Sequence, residues 1–340
     1  MAELPPSQRG DLLMDRRIFI SAAAGGLLVV PFSAFGQQSL ASVYRVGYLG
    51  SQRASDYETR LERLRMGLRD LGYVENRNLV IEFRSAEGKY DRLPELAAEL
   101  VALKVGVIVV EGPTSALAVQ QVTTTTPIVI ANVGNAVSSG LIASYAKPGG
   151  NIKGMSFLLE ELTAKRLDLL KQAKPSIAKV GVLVRPANPA FVQVLAAARS
   201  EAERNGVQLE RVEIRDADAL QGAFSTVERR GIDAILVHTD SLFSAHAESI
   251  AALAVKHRIT SVGSWDFAKA GGLIGYGVNT LDNYRHLAGF VDKILKGVKP
   301  ADLPVEQPTK IELAINLKTA KTLGITIPQS LLVRADEVIR

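Results

Sequence analysis

The feature that most constrains the fold of this 340-residue chain is a regular alternation of short apolar runs with helical patterns. Runs such as VGVIVVEG at residues 105–112 and IDAILVHTD at 232–240 carry apolar side chains on both faces, as buried parallel strands do. Amphipathic helical patterns follow such runs, and the alternation fills two similar stretches, residues 43–155 and 178–278. Strands that alternate with helices in this way form βαβ units. The sequence therefore predicts an α/β protein with two doubly wound parallel-sheet lobes.

The first 36 residues have the layout of an export signal. Paired arginines in DRRIFIS, residues 15–21, precede an apolar stretch, and Ala34 and Gly36 stand at the −3 and −1 positions of a cleavage site. We therefore expect a signal peptide that is cleaved near Gly36 and a mature protein in the periplasm. The arginine pair resembles a twin-arginine signal. The residues leave the export route open, and also whether the chain starts at Met1 or Met14.

Composition argues against several classes of protein. The chain has no cysteine, which excludes disulfides and thiolate metal sites, and its four histidines are too scattered to form a metal cluster. The formal net charge of +5 is not gathered into a basic run with aromatic residues, so we expect no nucleic acid partner. The sequence also has no nucleophile elbow, zinc-protease or phosphate-loop motif. We therefore expect no cofactor, no metal and no enzymatic activity.

Polar residues follow the predicted strands of both lobes, at the edge where open parallel sheets bind ligands. Thr114 and Ser115 lie at the start of a predicted helix, whose free N–H groups suit a carboxylate. Asp240 and Asp266, in the other lobe, are candidate partners for an ammonium group. Residues of these types also cap helices and make turns, so each one alone has a structural explanation. Together they predict a cleft for a small zwitterion such as an amino acid.

Two aromatic residues complete the candidate site. Trp265, the only tryptophan of the chain, and Tyr276 follow predicted strands and offer faces for a ligand, although Trp265 also fits the core. The candidate ligand-binding residues are Ser51, Thr114, Ser115, Asn135, Asn188, Thr239, Asp240, Trp265, Asp266 and Tyr276.

Several long stretches resemble a family of ABC transporter substrate-binding proteins, whose characterised relatives are associated with aromatic amino acids, especially tryptophan. The stretches are PIVIANVGNAVSSGLIASYAKPGGNIKGMSF, AGGLIGYGVN, FVDKILKGVKPADLPVEQPTKIELAINLKTAKTLGITIP and RADEVI, and the resemblance covers residues 44–339. It implies a type I periplasmic-binding fold, in which two lobes joined by three crossovers close on a ligand. The crossovers are expected near residues 154–158, 275–279 and 304–313.

The resemblance also implies how the chain is divided and what it does. Residues 43–155 with about 278–303 are expected to form lobe 1, and residues 156–277 with about 304–340 to form lobe 2. The protein would capture an amino acid, aromatic or branched, and deliver it as a monomer to an inner-membrane ABC permease with its ATPase. The sequence leaves one alternative open, a periplasmic sensor whose two lobes close on a ligand in the same way and are then recognised by a receptor or histidine kinase.

One position departs from the family pattern. Relatives usually carry Asp-Pro after the PIVIANVG strand, where this chain has Asn135-Ala136. The change removes a carboxylate that we would expect to face the ligand from lobe 1, so it leaves room for a different small solute. Repressors of the lactose type share this fold, but the export signal and the missing helix-turn-helix argue against that class.

Overall fold

The structure is a computed structural model that describes residues 43–340, so the expected signal peptide at residues 1–36 lies outside the described part of the chain. The strands are β1 (Tyr44–Gly50), β2 (Leu79–Ser85), β3 (Val107–Glu111), β4 (Ile128–Gly134), β5 (Ile152–Phe157), β6 (Lys179–Val184), β7 (Gln208–Glu213), β8 (Ala234–Val237), β9 (Thr260–Gly263), β10 (Ile274–Gly277), β11 (Val305–Glu306), β12 (Glu312–Asn316) and β13 (Glu337–Ile339). The helices are α1 (Glu58–Asp70), α2 (Leu93–Ala102), α3 (Gly112–Val122), α4 (Leu159–Ala173), α5 (Phe191–Arg204), α6 (Ala219–Arg229), α7 (Ser241–Ala245), α8 (Ala247–Lys256), α9 (Trp265–Lys269), α10 (Thr280–Leu295), α11 (Leu317–Leu323) and α12 (Gln329–Leu332).

These strands form two separate sheets. The first has the order β11-β5-β4-β3-β1-β2, and all of its strand pairs are parallel. The second has the order β13-β12-β10-β9-β8-β6-β7, and only the β10–β12 pair is antiparallel among the described strands. We call the first sheet and the helices packed on it lobe 1, and the second sheet with its helices lobe 2. The predicted α/β class with two parallel-sheet lobes is confirmed.

Both sheets are covered on both faces, because neighbouring residues of a strand point to opposite sides. In β3, Val107 and Val109 enter one apolar cluster and Ile108 and Val110 enter another on the other side of the sheet. The second sheet repeats this arrangement. Near-continuous apolar runs are therefore the sequence signature of these strands. Within residues 43–340, no helix has both the length and the apolar character required to cross a membrane.

The chain passes between the lobes three times. It leaves β5 at Phe157 and enters α4, which packs on α5 and on strands of the second sheet. It returns after β10 into α10, which packs on α1 in lobe 1. It crosses again from β11 to β12 through residues 307–311. These three passages join the lobes at one side and leave a gap between them.

The structure places the ends of these passages slightly differently from the expected lobe boundaries. β5 continues through Ser156 and Phe157, so lobe 1 extends beyond residue 155. Val305 and Glu306, which were expected in lobe 2, pair with β5 in the first sheet. The reason is that an edge strand gains backbone hydrogen bonds there before the chain crosses.

Gly154, at the centre of β5, is required by its conformation and by its neighbours. Its φ is +121°, a region that side chains with a Cβ rarely adopt, and a Cβ there would collide with the backbone carbonyl of Ile130. The close approach joins β5 to β4 just before the first passage between the lobes. Position 154 therefore accepts only glycine without local rearrangement.

Gly154→Ala should lower the free energy of unfolding by about 3 kcal/mol or more, because it combines a disfavoured φ with a backbone clash. Gly222→Ala is a matched control, since Gly222 lies inside α6 and a Cβ there meets nothing within 4 Å. The control should be neutral or more stable by up to about 1 kcal/mol. Urea denaturation followed by circular dichroism measures both. Equal stabilities of the two variants would contradict this account of Gly154.

Candidate functional site

A cavity of about 410 Å³ lies between the two lobes. Its volume falls in the range of small-molecule sites. Most of its lining follows strands of both sheets, as expected for the carboxyl ends of parallel strands. Examples from lobe 1 are Ser51 and Pro113, and examples from lobe 2 are Arg185, Thr239 and Ser264.

Six of the ten residues chosen from the sequence line this cavity, and four do not. The six are Ser51, Thr114, Asn188, Thr239, Asp240 and Asp266. The four that lie elsewhere are Ser115, Asn135, Trp265 and Tyr276. The structure therefore brings together most of the polar residues of the set and none of the aromatic ones.

The two aromatic candidates pack into lobe 2. Trp265 is buried in a small cluster with Ala268 and Ala314, and the ammonium group of Lys269 lies 4.0 Å from the centre of its ring. Tyr276 packs against the apolar core of lobe 2. Ser115 is also buried, one residue beyond the cavity wall in the first turn of α3. Their positions fit a structural role better than direct contact with a ligand.

Asn135 faces the passage between the lobes and not the cavity. Its side-chain amide donates a hydrogen bond to Glu160 Oε1 over 2.8 Å, which links the end of β4 to the start of α4. Asn132, three residues earlier, lines the cavity in its place. The register of β4 against β5 shifts between Ile130 and Val133, and Asn132 has a φ of +51°. This irregularity turns Asn132 toward the gap.

The side chain of Asn132 is held in a fixed orientation. Asn283 in α10 donates a hydrogen bond to Asn132 Oδ1 over 2.8 Å. The amide nitrogen of Asn132 is buried and has no partner among the described residues. An asparagine amide with a bonded oxygen presents its NH₂ as the free group. Asn132 therefore offers a hydrogen-bond donor to a ligand.

Asp240 is already fully engaged. Arg185 Nε lies 3.1 Å from each of its carboxylate oxygens, Asn188 donates to Oδ2 over 2.7 Å, and the Leu242 N–H donates to Oδ1 over 2.8 Å. Burial alone would raise the pKa of Asp240, but the Arg185 guanidinium and these donors hold it below its ordinary value. Asp240 thus caps α7 and neutralises Arg185. The expectation that it binds an ammonium group is not supported by this geometry.

Asp266 is the candidate carboxylate that remains available. Thr280 at the start of α10 donates a hydrogen bond to its Oδ2 over 2.6 Å, so a residue of lobe 1 touches a residue of lobe 2. Burial raises the pKa of Asp266 above its ordinary value, although Thr280 and the positive charges of Arg60 and Lys269 act in the opposite direction. No cation lies within ion-pair distance of Asp266 among the described residues. Its carboxylate can therefore accept a cationic group.

Two cavity residues, Glu111 and Arg60, are absent from the sequence-based set. Glu111 is the last residue of the apolar strand β3 and is 8% exposed, and Arg60 lies on α1. Arg60 Nε is 3.4 Å from Glu111 Oε2, which permits charge attraction, but the geometry forms no hydrogen bond. An acidic residue that ends an otherwise apolar strand is the sequence signal that marks Glu111.

Two buried basic residues lie behind the cavity wall. Arg166 in α4 donates to the Thr239 hydroxyl and to the Tyr276 carbonyl, each over 2.8 Å. His238, which directly follows β8, is buried, and both of its ring nitrogens lack partners among the described residues. Burial lowers the pKa of His238 to about 4, so its ring is neutral near pH 7. Neither residue lines the cavity.

The cavity wall contains buried polar atoms that the described residues leave without hydrogen-bond partners. They are Glu111 Oε2, Thr114 Oγ1, Asn132 Nδ2 and Arg185 Nη1. Such atoms are costly when buried alone, so a cluster of them in a cavity indicates a ligand. The set includes donors and an acidic acceptor, and it comes from both lobes. A ligand with donor and acceptor groups of its own satisfies it.

Ser51 and Tyr90 of lobe 1 contact Ser241 and Arg185 of lobe 2 directly across the gap. Ser51 Oγ of lobe 1 lies 3.1 Å from Ser241 Oγ of lobe 2. The Arg185 guanidinium of lobe 2 stacks 3.8 Å from the centre of the Tyr90 ring of lobe 1. Gln52 holds the Tyr90 hydroxyl from the same lobe. These contacts form only when the lobes are close together.

Two α/β lobes, three connecting passages and a polar cavity between the lobes define a solute-binding protein that encloses its ligand. The chain belongs to the ABC transporter substrate binding protein family, whose model matches residues 57–339. Proteins of this family bind small molecules, work with ABC permeases and generally lie outside the cytoplasm. The chain is accordingly a solute-binding protein and not an enzyme.

Individual relatives agree with this assignment. The chain is 26% identical over 259 residues to a tyrosine-binding protein of Clostridioides difficile strain R20291, which covers 76% of this chain and 74% of the relative. Two solved structures share the fold. A conserved domain protein from Vibrio cholerae is 24% identical with a TM-score of 0.81, covering 87% of this chain and 100% of that one. An ABC domain from Streptococcus pneumonia in complex with L-Trp is 23% identical with a TM-score of 0.80, and the match covers 88% of this chain and 100% of that one.

Asp240→Ala should lower the free energy of unfolding by about 3–5 kcal/mol, because it leaves the Arg185 guanidinium buried without its partner. The matched control is Asp70→Ala, which breaks the exposed pair between Asp70 and Arg285. That control should cost less than about 1 kcal/mol. Denaturant titration of both variants measures the difference. An Asp240→Ala protein as stable as the parent would show that the buried pair contributes nothing to the fold.

Proposed function

We propose that this protein captures an amino acid between its two lobes in the periplasm and delivers it to an inner-membrane ABC permease with its ATPase. The observation that carries the proposal is the set of unpartnered polar atoms that both lobes direct at one cavity. Family membership supports the transport role. The protein acts as a monomer after its signal peptide is removed near Gly36.

The carboxylate of the amino acid binds to donors from both lobes. In lobe 1 these are the Thr114 hydroxyl at the start of α3, and Asn132 Nδ2. The first-turn N–H groups of an 11-residue helix add partial positive charge at the same place. In lobe 2 the donor is Arg185 Nη1, which the pair with Asp240 leaves free. A carboxylate has enough lone pairs to accept all of these bonds.

The ammonium group of the amino acid binds to the carboxylates that remain available. Glu111 Oε2 in lobe 1 has no hydrogen-bond donor among the described residues. Within residues 43–340, Asp266 in lobe 2 accepts a hydrogen bond from one hydroxyl only, that of Thr280. Charge-assisted hydrogen bonds of this kind are about twice as strong as neutral ones. The proposal therefore assigns ammonium binding to Glu111 and Asp266 and not to Asp240.

Closure follows from the need to contact both lobes at once. The ligand binds tightly only when the lobes approach, so it shifts the population toward the closed form. Ser51, Ser241, Tyr90 and Arg185 provide protein contacts that favour the same form. The closed shape is then what the permease recognises. No covalent bond changes in this cycle.

The side chain of the ligand is a separate question from its zwitterionic end. A tyrosine-binding protein and a structure with L-Trp among the relatives support an aromatic amino acid. Branched amino acids are the second class that the sequence suggested. The contacts proposed above are made by the α-amino and α-carboxylate groups, so they hold for any of these side chains.

An L-amino acid that fits the cavity should raise the melting temperature by several degrees, because a ligand that binds only the folded state adds to the free energy of unfolding. Thr114→Val should weaken that ligand about tenfold by removing one hydrogen bond to its carboxylate. Thr322→Val, on the exposed surface of α11, is the control and should not change affinity. Differential scanning fluorimetry with the twenty amino acids, followed by calorimetry, measures both effects. If no amino acid shifts the melting temperature at millimolar concentration, the amino-acid assignment is wrong.

Closure can be locked covalently because the chain has no cysteine of its own. In the double variant Ser51→Cys with Ser241→Cys, the two sulfurs replace oxygens that lie 3.1 Å apart, so a disulfide should form on oxidation. The oxidised protein should exchange ligand far more slowly than the reduced one, and reductant should restore exchange. Stopped-flow displacement of bound ligand reports the rate. Each single variant is a control, and equally fast exchange in the oxidised and reduced double variant would refute capture by closure.

A further inference from the structure

The lining of the cavity is strongly acidic in a chain whose formal net charge is +5. Among the described residues that line it, five are carboxylates and two are arginines, which gives a formal net charge of −3. The carboxylates are Asp56, Glu111, Asp240, Glu248 and Asp266, and the arginines are Arg60 and Arg185. A cavity with one sign of charge favours ligands of the opposite sign.

The two arginines do not remove this excess. Arg185 is committed to Asp240, with which it forms a buried pair at 3.1 Å. Arg60 lies 3.4 Å from Glu111 without forming a hydrogen bond, so one buried oxygen of Glu111 stays unpartnered. Asp266 has no cation within ion-pair distance among the described residues, and burial raises its pKa. Glu111 in lobe 1 and Asp266 in lobe 2 are therefore incompletely compensated acids that face one cavity from opposite sides.

Two further cations, Arg166 and Lys269, direct their charged groups at other partners. Arg166 uses its guanidinium on the Thr239 hydroxyl and the Tyr276 carbonyl, behind the wall. Lys269 is exposed and lies over the ring of Trp265, and it also pairs with Glu337. Their fields weaken the negative potential, but neither side chain lines the cavity. A ligand can therefore supply the hydrogen-bond donor that Glu111 Oε2 lacks and the cation that Asp266 lacks.

The lining also offers little to an aromatic ring. None of the described lining residues is phenylalanine, tyrosine, tryptophan or histidine. The apolar side chains are small or few, namely Pro113, Leu159, Ala190, Ala247 and Leu281. A neutral ring placed there would bury Glu111 Oε2 without a hydrogen-bond donor and Asp266 without a cation, which costs free energy. A cationic side chain in the same place supplies the missing donor and charge, which lowers the free energy of the complex.

We propose that the amino acid bound by this protein carries a second positive charge on a flexible side chain, as lysine and ornithine do. Its two ammonium groups meet Glu111 and Asp266, one in each lobe, and its carboxylate meets Thr114 and Arg185. The inference rests on the proposed amino-acid function and names the class of side chain for the same cavity. Because the two acids lie in different lobes, a ligand with two cationic groups also draws the lobes together.

Isothermal titration calorimetry of L-lysine against L-norleucine tests the charge directly, since norleucine has the same carbon chain without the side-chain amine. L-Lysine should bind at least about tenfold more tightly, and more tightly than L-tyrosine or L-tryptophan. If norleucine, tyrosine or tryptophan binds as tightly as lysine, the inference is wrong and the proposed function stands. If no amino acid binds, both are wrong.

Variants then locate the effect in the cavity. Glu111→Gln and Asp266→Asn should each weaken lysine about tenfold or more. The variant at the acid that meets the α-ammonium group should weaken norleucine as well, whereas the variant at the acid that meets the side-chain ammonium group should leave norleucine within about twofold. Glu58→Gln is the matched control, because Glu58 is exposed at the start of α1 and does not line the cavity. The two acids lie in different lobes, so a folding defect in one variant leaves the other as the test. Unchanged lysine affinity in a folded Glu111→Gln or Asp266→Asn protein would overturn the assignment.

Discussion

The direction of the strands is the constraint on which the site depends. Because nearly all strand pairs are parallel, each lobe gathers its strand ends, and the polar residues that follow them, at one edge of its sheet. Three passages between the lobes turn these two edges toward each other. The strand interiors are left to apolar packing on both faces. Chemistry and stability therefore occupy different parts of every strand, which is why a polar cavity is compatible with a tightly packed core.

Buried charge is the second feature of the site, and each lobe handles it differently. In lobe 2, Arg185 and Asp240 satisfy each other, and helix α7 begins on the same carboxylate. In lobe 1, Arg60 and Glu111 attract each other without completing a hydrogen bond. Breaking the first pair exposes a buried charge to an apolar environment, whereas the second pair still has capacity for a partner. The buried pair of lobe 2 is thus complete, whereas the pair of lobe 1 leaves one carboxylate oxygen without a hydrogen-bond donor.

The sequence predicted the fold and the edge of the sheets at which the cavity lies, because both follow from local periodicity. It did not predict which polar residues pair. Asp240 is partnered by Arg185, 55 residues earlier, because β6 and β8 are neighbours in the sheet. The local sequence pattern does not predict which strands become neighbours. Glu111 was missed because it is the last residue of an apolar strand and not part of the following loop. Trp265 and Tyr276 were expected at the ligand because they follow strands, but their side chains turn into the core.

The structure changes the interpretation of Asn135, which replaces the aspartate usual in the family. From the sequence, an asparagine in place of the family's aspartate removed an ammonium partner from the cavity. Asn135 does not line the cavity, and its amide donates to Glu160 Oε1 over 2.8 Å at the first passage between the lobes. An ionised aspartate in that place would set two carboxylates at hydrogen-bond distance with no proton between them, which is repulsive. The asparagine is therefore matched to Glu160, and the change concerns how the lobes are joined. The carboxylates that line the cavity, among them Glu111 and Asp266, lie at other positions, so the substitution at 135 leaves them intact.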